Sequence, residues 1–165
     1  MDRKDELRLP TVTVAVRLAV VGHEPAGVEL FITEAGHGRS AVLDAVDELL
    51  DEDAAFLPVR GPRSVRLLAK RSIAWLAIAR GEVPEDREFD DQPSEVMTLY
   101  DRQHHVIVEL TNGTKLEGML FDSAPADRPR VIDHLNRARG FVRLWTSDEH
   151  YLINKDHILQ VLEQE

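Results

Sequence analysis

The 165-residue chain contains no cysteine. That absence excludes a disulfide framework, a thiolate metal site and a cysteine nucleophile, so cohesion must come from packing. Aromatic residues are scarce: two Trp, two Tyr and five Phe leave little material for base-stacking platforms. No uninterrupted run approaches the roughly 20 apolar residues of a membrane-spanning helix. The most apolar N-terminal stretch, Val12 to Val21, is broken by Arg17 and follows Asp2, Asp5 and Glu6, which is not the layout of a signal peptide. Bases are outnumbered, 20 Lys and Arg against 30 Asp and Glu, for a net charge of -10. On that balance a nucleic-acid partner is disfavoured, because such binding relies on phosphate neutralisation. What is present suits a globular chain: 43% hydrophobic residues and 30% charged ones. A cytoplasmic protein without a membrane segment is expected.

Charge is distributed unevenly. Residues 81-105 carry eight acids, two bases, Pro84 and Pro93, and so -6 of the -10. This is the composition of a solvated connector, with a short turn expected over Val96 to Tyr100. The organisation expected is therefore a tail over 1-11, a first repeat over 12-80, an acidic linker over 81-105 and a second repeat over 106-165.

The flanks of the linker resemble each other. Phe56 with Phe141, Leu67 with Leu152, Lys70 with Lys155 and Ile73 with Ile158 share one offset of 85 residues, and Leu30-Phe31 matches Leu120-Phe121 at 90. Two copies at so long a period point to paired lobes, not a solenoid. In each copy an alternating strand opens the pattern, Val14 to Val20 or Val106 to Leu110. Asn112-Gly113 supplies the positive backbone angles of a tight hairpin before Lys115 to Phe121 returns. A helix follows, Arg39 to Asp53 capped by Ser40, or Asp127 to Arg139 with Pro129 in its first turn. Short strands near Phe56 and Val65, or Phe141 and Tyr151, then lead to a last strand, Ile73 to Ile78 or Ile158 to Leu162. Five short strands and one inserted helix per copy suit a small bent barrel, so the fold class expected is mainly β (α+β), two tandem barrels.

Two segments carry a family resemblance. Val106 to Leu120, with Asn112-Gly113 between strands and Gly118-Met119-Leu120 on the return, resembles the first signature of Sm-like proteins. Tyr151 to Val161 resembles the closing strands of the bacterial Sm-like RNA chaperone, in which a Lys-His turn separates two apolar runs. The resemblance implies tandem Sm-like barrels, with Asn154 and Lys155 where the family contacts RNA and His157 near its basic turn. It departs in placing the helix in mid-barrel, and in the first copy Ala69 and Ser72 replace Asn154 and His157 while Lys70 persists.

Catalytic machinery is not legible. The seven histidines lack metal-ligand spacing, and His104 and His105 are adjacent, which sends them to opposite faces of a strand. The other five (His23, His37, His134, His150 and His157) read as surface residues. Gly36-His37-Gly38-Arg39-Ser40 lacks the Lys of a phosphate loop and reads as a turn into a helix cap. Neither enzyme activity, metal nor cofactor is expected. Two charged features remain. Arg60, Arg63, Arg66, Lys70 and Arg71 form a basic run without an acid, which with Lys155 and His157 makes a candidate site for RNA or an acidic partner. If Val65, Leu67 and Ala69 face inward, Arg66 and Lys70 share the outer face. The first helix carries Asp44, Asp47, Glu48 and Asp51 and the second carries Arg130 and Arg137. These opposite faces are expected to meet within the chain or across a homodimer. The function expected is a non-enzymatic protein-docking adaptor or regulatory scaffold, with Sm-like RNA binding through residues 60-71 as the alternative.

Overall fold

The computed structural model describes residues 11-33, 39-79, 102-122, 131-138 and 140-164. The alternation of Val14, Val16, Leu18 and Val20 builds β1 (Thr11–Val20), which pairs antiparallel with β2 (Ala26–Thr33). Then come α1 (Arg39–Asp51), β3 (Phe56–Arg60), β4 (Val65–Ala69), a 3-10 turn at Lys70–Ser72 and β5 (Ile73–Ala79). The second half repeats the order: β6 (Arg102–Leu110), β7 (Lys115–Asp122), α2 (Val131–Arg137), β8 (Phe141–Trp145), β9 (Glu149–Asn154), a 3-10 turn at Lys155–His157 and β10 (Ile158–Glu163).

The expected pair of barrels is not what forms. The ten strands of the described residues join in one open antiparallel sheet, ordered β10-β6-β7-β8-β9-β5-β1-β2-β3-β4. Within that line each half has the same internal order, its fifth strand beside its first, then second, third and fourth. The halves meet where β5 pairs with β9, Trp75 opposite Ile153 and Leu76 opposite Leu152. The reason lies in β5 itself. Ile73-Ala74-Trp75-Leu76-Ala77-Ile78 is apolar without alternation, so both of its faces need cover, and all six residues are buried. Ile73, Leu76 and Ile78 enter one hydrophobic cluster with α1, Leu30 and Leu152, and Ala74, Trp75 and Ala77 enter the other with Leu120, Leu144 and Ile153. Each half thus completes the other's core.

Other boundaries also differ from expectation. Residues 102-105, assigned to the linker, open β6, where pairing with β7 (His104 opposite Leu120) extends the strand beyond its apolar part. The rest of that linker, with its turn at 96-100, lies outside the described residues, as do Gly36 to Gly38, Asp127 and Pro129. α1 opens at Arg39, one residue before the expected Ser40 cap, and ends at Asp51. In the β6-β7 loop only Gly113 has a positive φ, +92°; Asn112 instead accepts from the Thr114 amide at 2.9 Å, so its side chain organises the turn. Gly118 has a different task. A Cβ there would collide with the Trp145 carbonyl, so glycine lets β8 approach β7.

Candidate functional site: two open sheet edges

A linear sheet has two ends, and three of the sequence-derived candidates, Arg63, Arg66 and Arg71, lie along or beside one of them. β4 ends the first half and β10 the second. Among the described residues neither has a neighbouring strand on its outer side, the usual template for another strand. Both also expose apolar side chains: Val65 and Leu67 on β4 with Phe56 beside them on β3, and Leu159 and Leu162 on β10 with Ile132 beside them on α2. The expected inward orientation of Val65 and Leu67 therefore does not hold. Leu67 is 73% exposed, because nothing among the described residues lies beyond the edge strand.

The basic run divides into two kinds. Arg63, Arg66 and Arg71 are exposed along or beside β4. Arg60 lies over the Phe31 ring, 5.1 Å from its centroid, and 3.8 Å from Glu29. Lys70, expected on the outer face beside Arg66, is instead buried: the strand ends at Ala69 and the 3-10 turn carries the lysine inward. Its Nζ donates to the Glu52 carbonyl at 3.1 Å, while its amide donates to the Ala55 carbonyl. Lys155 does the same in the second half, Nζ to the Ala138 carbonyl at 2.8 Å and amide to the Gly140 carbonyl. Both ammonium groups thus satisfy a carbonyl just past a helix C-terminus, where positive charge is favoured.

The other two second-half candidates bind across the seam. Asn154 is buried; its Nδ2 donates to the Ile73 carbonyl at 2.9 Å and its Oδ1 accepts from the Asp156 amide. His157 Nε2 is 2.7 Å from the Arg71 carbonyl, which requires the proton on that nitrogen. Neither was legible as a seam residue, because the partner carbonyls lie some 80 residues away in sequence.

The helix faces resolve similarly. Arg143 of β8, a residue not singled out from sequence, donates to Asp44 at 2.8 Å and Asp47 at 2.7 Å on α1. Burial pulls the Arg143 guanidinium down, but hydrogen bonds to Asp44 and Asp47 outweigh it and hold its pKa above the ordinary value. Through Asp44 and Asp47 the acidic helix is therefore engaged within the chain by a strand of the second half. Glu48 and Asp51 remain on the exposed side of α1. Arg137 Nε donates to the Asp133 carbonyl within α2 at 3.2 Å, and Arg130 lies outside the described residues. A second cluster crosses the seam on the other side. Arg17 of β1 donates to Glu149 of β9 and to the Tyr151 hydroxyl at 3.1 Å, with its guanidinium 5.2 Å from the Trp75 ring centroid. The hydrogen bond to Glu149 raises the Arg17 pKa, and burial, with Glu149 nearby, raises that of Tyr151.

Beside β10 a groove of about 770 Å³ runs between that strand and α2, lined by Ile132, Leu135, Ile158, Val161 and Leu162 among others. His104 also faces it, with Nε2 buried and lacking a hydrogen-bond partner. His150 departs from the surface role expected: it is buried, edge-on to Trp145 with ring centroids 4.0 Å apart. Among the described residues no group of three or more His, Asp or Glu is arranged to hold a metal ion, and no helix is long and apolar enough to cross a membrane. No family model, curated protein or solved structure matches the chain.

Proposed function

We propose that this chain is a non-enzymatic protein-docking module, an adaptor or regulatory scaffold of two Sm-like halves fused in one sheet. Its working surfaces are the edges at β4 and β10. The observation that carries the reading is exposed apolar side chains on strands that have no outer neighbour among the described residues, Leu67 on β4 and Leu159 on β10. Solvated edges are usually blunted by charge or proline; an edge that keeps apolar residues is suited to strand addition. Arg63, Arg66 and Arg71 give the β4 edge a preference for an acidic partner. The same three residues are what favours the alternative, RNA along residues 60-71. That alternative is the weaker, since Lys70, Lys155 and His157 already have backbone partners.

The test is retention of a stoichiometric protein from native lysate by the wild-type chain and by a Leu67→Asp chain, beside binding to single-stranded RNA across a salt series. Retention that Leu67→Asp abolishes supports docking through β4. Tight, salt-sensitive RNA binding with no retained protein overturns it in favour of the alternative.

A further inference from the structure

Two backbone bonds fix which way the peptide groups of β4 face. The Gly61 amide donates to the Ser64 carbonyl at one end of the β3-β4 hairpin, and the Lys70 amide donates to the Ala55 carbonyl at the other, each at 2.9 Å. Hydrogen-bonded and non-hydrogen-bonded pairs alternate along an antiparallel ladder. Between those two ends Arg60 stands opposite Val65, Val59 opposite Arg66, Pro58 opposite Leu67, Leu57 opposite Leu68 and Phe56 opposite Ala69. Val65, Leu67 and Ala69 therefore fall in the non-hydrogen-bonded pairs. Their amides and carbonyls point away from β3, toward the side on which β4 has no neighbour among the described residues. Pro58 fits this alternation, because it has no amide proton and stands opposite Leu67, where none is called for.

Side chains divide by the same alternation. Leu57, Val59 and Leu68 turn to the first hydrophobic cluster. Val65 and Leu67 lie on the opposite face with Phe56 of β3, and all three are exposed. Arg66 alternates with them and is exposed, Arg63 sits in the hairpin turn before the strand, and Arg71 follows in the 3-10 turn after it. Residues 54-80 contain no acid. The edge thus offers outward backbone groups, an apolar face and a row of cations in one register.

We infer that β4 takes an extended acidic segment of another protein, antiparallel like the other pairs of this sheet, in which apolar and acidic residues alternate. The inference rests on the docking reading above and names the chemistry of its partner. Partner residues opposite Val65 and Leu67 are apolar and cover them together with Phe56. The residue opposite Arg66 is Asp or Glu, and acids beyond either end of the paired stretch meet Arg63 and Arg71. Main-chain hydrogen bonds supply affinity, while charge selects the partner. RNA satisfies less of this edge: its phosphates pair with the arginines, but it brings no strand of amides for the outward carbonyls and no apolar cover for Leu67.

Fluorescence anisotropy of a labelled peptide alternating Glu and Val tests this with the full chain, beside the same peptide N-methylated at its Val residues, N-methylated at its Glu residues, or carrying Lys in place of Glu. A peptide Val opposite Leu67 turns its amide toward β4, and the flanking Glu residues turn theirs away. Methylation at Val is therefore expected to weaken binding at least about tenfold and methylation at Glu to change it less than about twofold. Binding is expected to weaken in high salt and to be absent for the Lys peptide. Leu67→Asp and Arg66→Glu are each expected to weaken it at least about tenfold; both positions are exposed, and circular dichroism with urea unfolding verifies that each variant folds. Binding that ignores Leu67→Asp, or that ranks the two methylated peptides otherwise, overturns strand addition. Single-stranded RNA that displaces the peptide at lower concentration than unlabelled peptide does overturns it in favour of RNA. Amides of Val65, Leu67 and Ala69 already protected from exchange in the dilute chain alone mark an edge covered from within the chain and overturn it too. If folded wild type binds no Glu-Val peptide the inference falls; should that chain still retain a lysate protein that Leu67→Asp loses, the docking reading stands with a partner of other chemistry, and retention of nothing removes both.

Discussion

Replacing Lys70 or Lys155 by Met separates two accounts of the lysines that recur at the 85-residue offset. Met keeps the apolar stem and removes only the ammonium group. In the structure each ammonium hydrogen-bonds a carbonyl just beyond a helix, Glu52 for Lys70 and Ala138 for Lys155. A hydrogen bond involving a charged group contributes about 1.5-3 kcal/mol, and charge at a helix C-terminus about 0.3-1 kcal/mol. The two overlap, because the same carbonyl dipole is counted in both. Lys70 is 9% exposed and its bond to the Glu52 carbonyl is partly buried, so about 2 kcal/mol is expected. Lys155 is less buried, and water replaces part of the bond, for about 1 kcal/mol. Urea unfolding measures both, and an unchanged m-value confirms that only stability has moved. If both variants unfold as wild type does but bind single-stranded RNA or heparin more weakly, the structural assignment is wrong and the lysines belong to an anion site.

Three further outcomes follow from particular contacts. Gly118→Ala forces a methyl group into the Trp145 carbonyl, and is expected to cost about 1-3 kcal/mol in urea unfolding, whereas Gly27→Ala, where a Cβ has open space, costs much less. Arg143→Met removes the bridge from β8 to Asp44 and Asp47; the bridge is partly exposed, so about 1 kcal/mol is expected, and the difference from wild type should shrink in high salt. Tyr151 keeps its proton above the ordinary 10.0. Above pH 10 the unfolded chain therefore releases a proton that the folded chain retains, so this tyrosine's contribution is intact below pH 10 and is lost as pH rises toward its folded value. Ultraviolet titration of a Tyr100→Phe chain, in which Tyr151 is the one remaining tyrosine, reads that midpoint directly.

The repeat was legible in sequence because equivalent strands keep equivalent apolar residues: Phe56 and Phe141, Leu67 and Leu152, and Ile73 and Ile158 fall at matching places in the two halves. The joining of the halves was not, although a signal existed. Ile73 to Ile78 is apolar at every position, while Ile158 to Leu162 is interrupted by Gln160. That contrast is the difference between a strand covered on both faces and a strand at an edge. Val65 and Leu67 misled for the opposite reason: apolar alternation predicts a buried face, but both side chains are exposed on a strand at the end of the sheet. The candidate site was half visible. Arg63, Arg66 and Arg71 are exposed, while Lys70, expected on the outer face beside Arg66, is buried. Asn154, Lys155 and His157 are engaged by backbone carbonyls, and a sequence carries no mark of which carbonyl lies vacant.

Amide hydrogen exchange with and without the protein that the chain retains from lysate tests the edge account most directly. The account predicts that amides of Val65–Ala69 or Ile158–Glu163 gain protection when that protein is added, with those of β5 and β9 unchanged. Exchange at β4 and β10 that the retained protein leaves unchanged, or a chain that retains no protein, would contradict it.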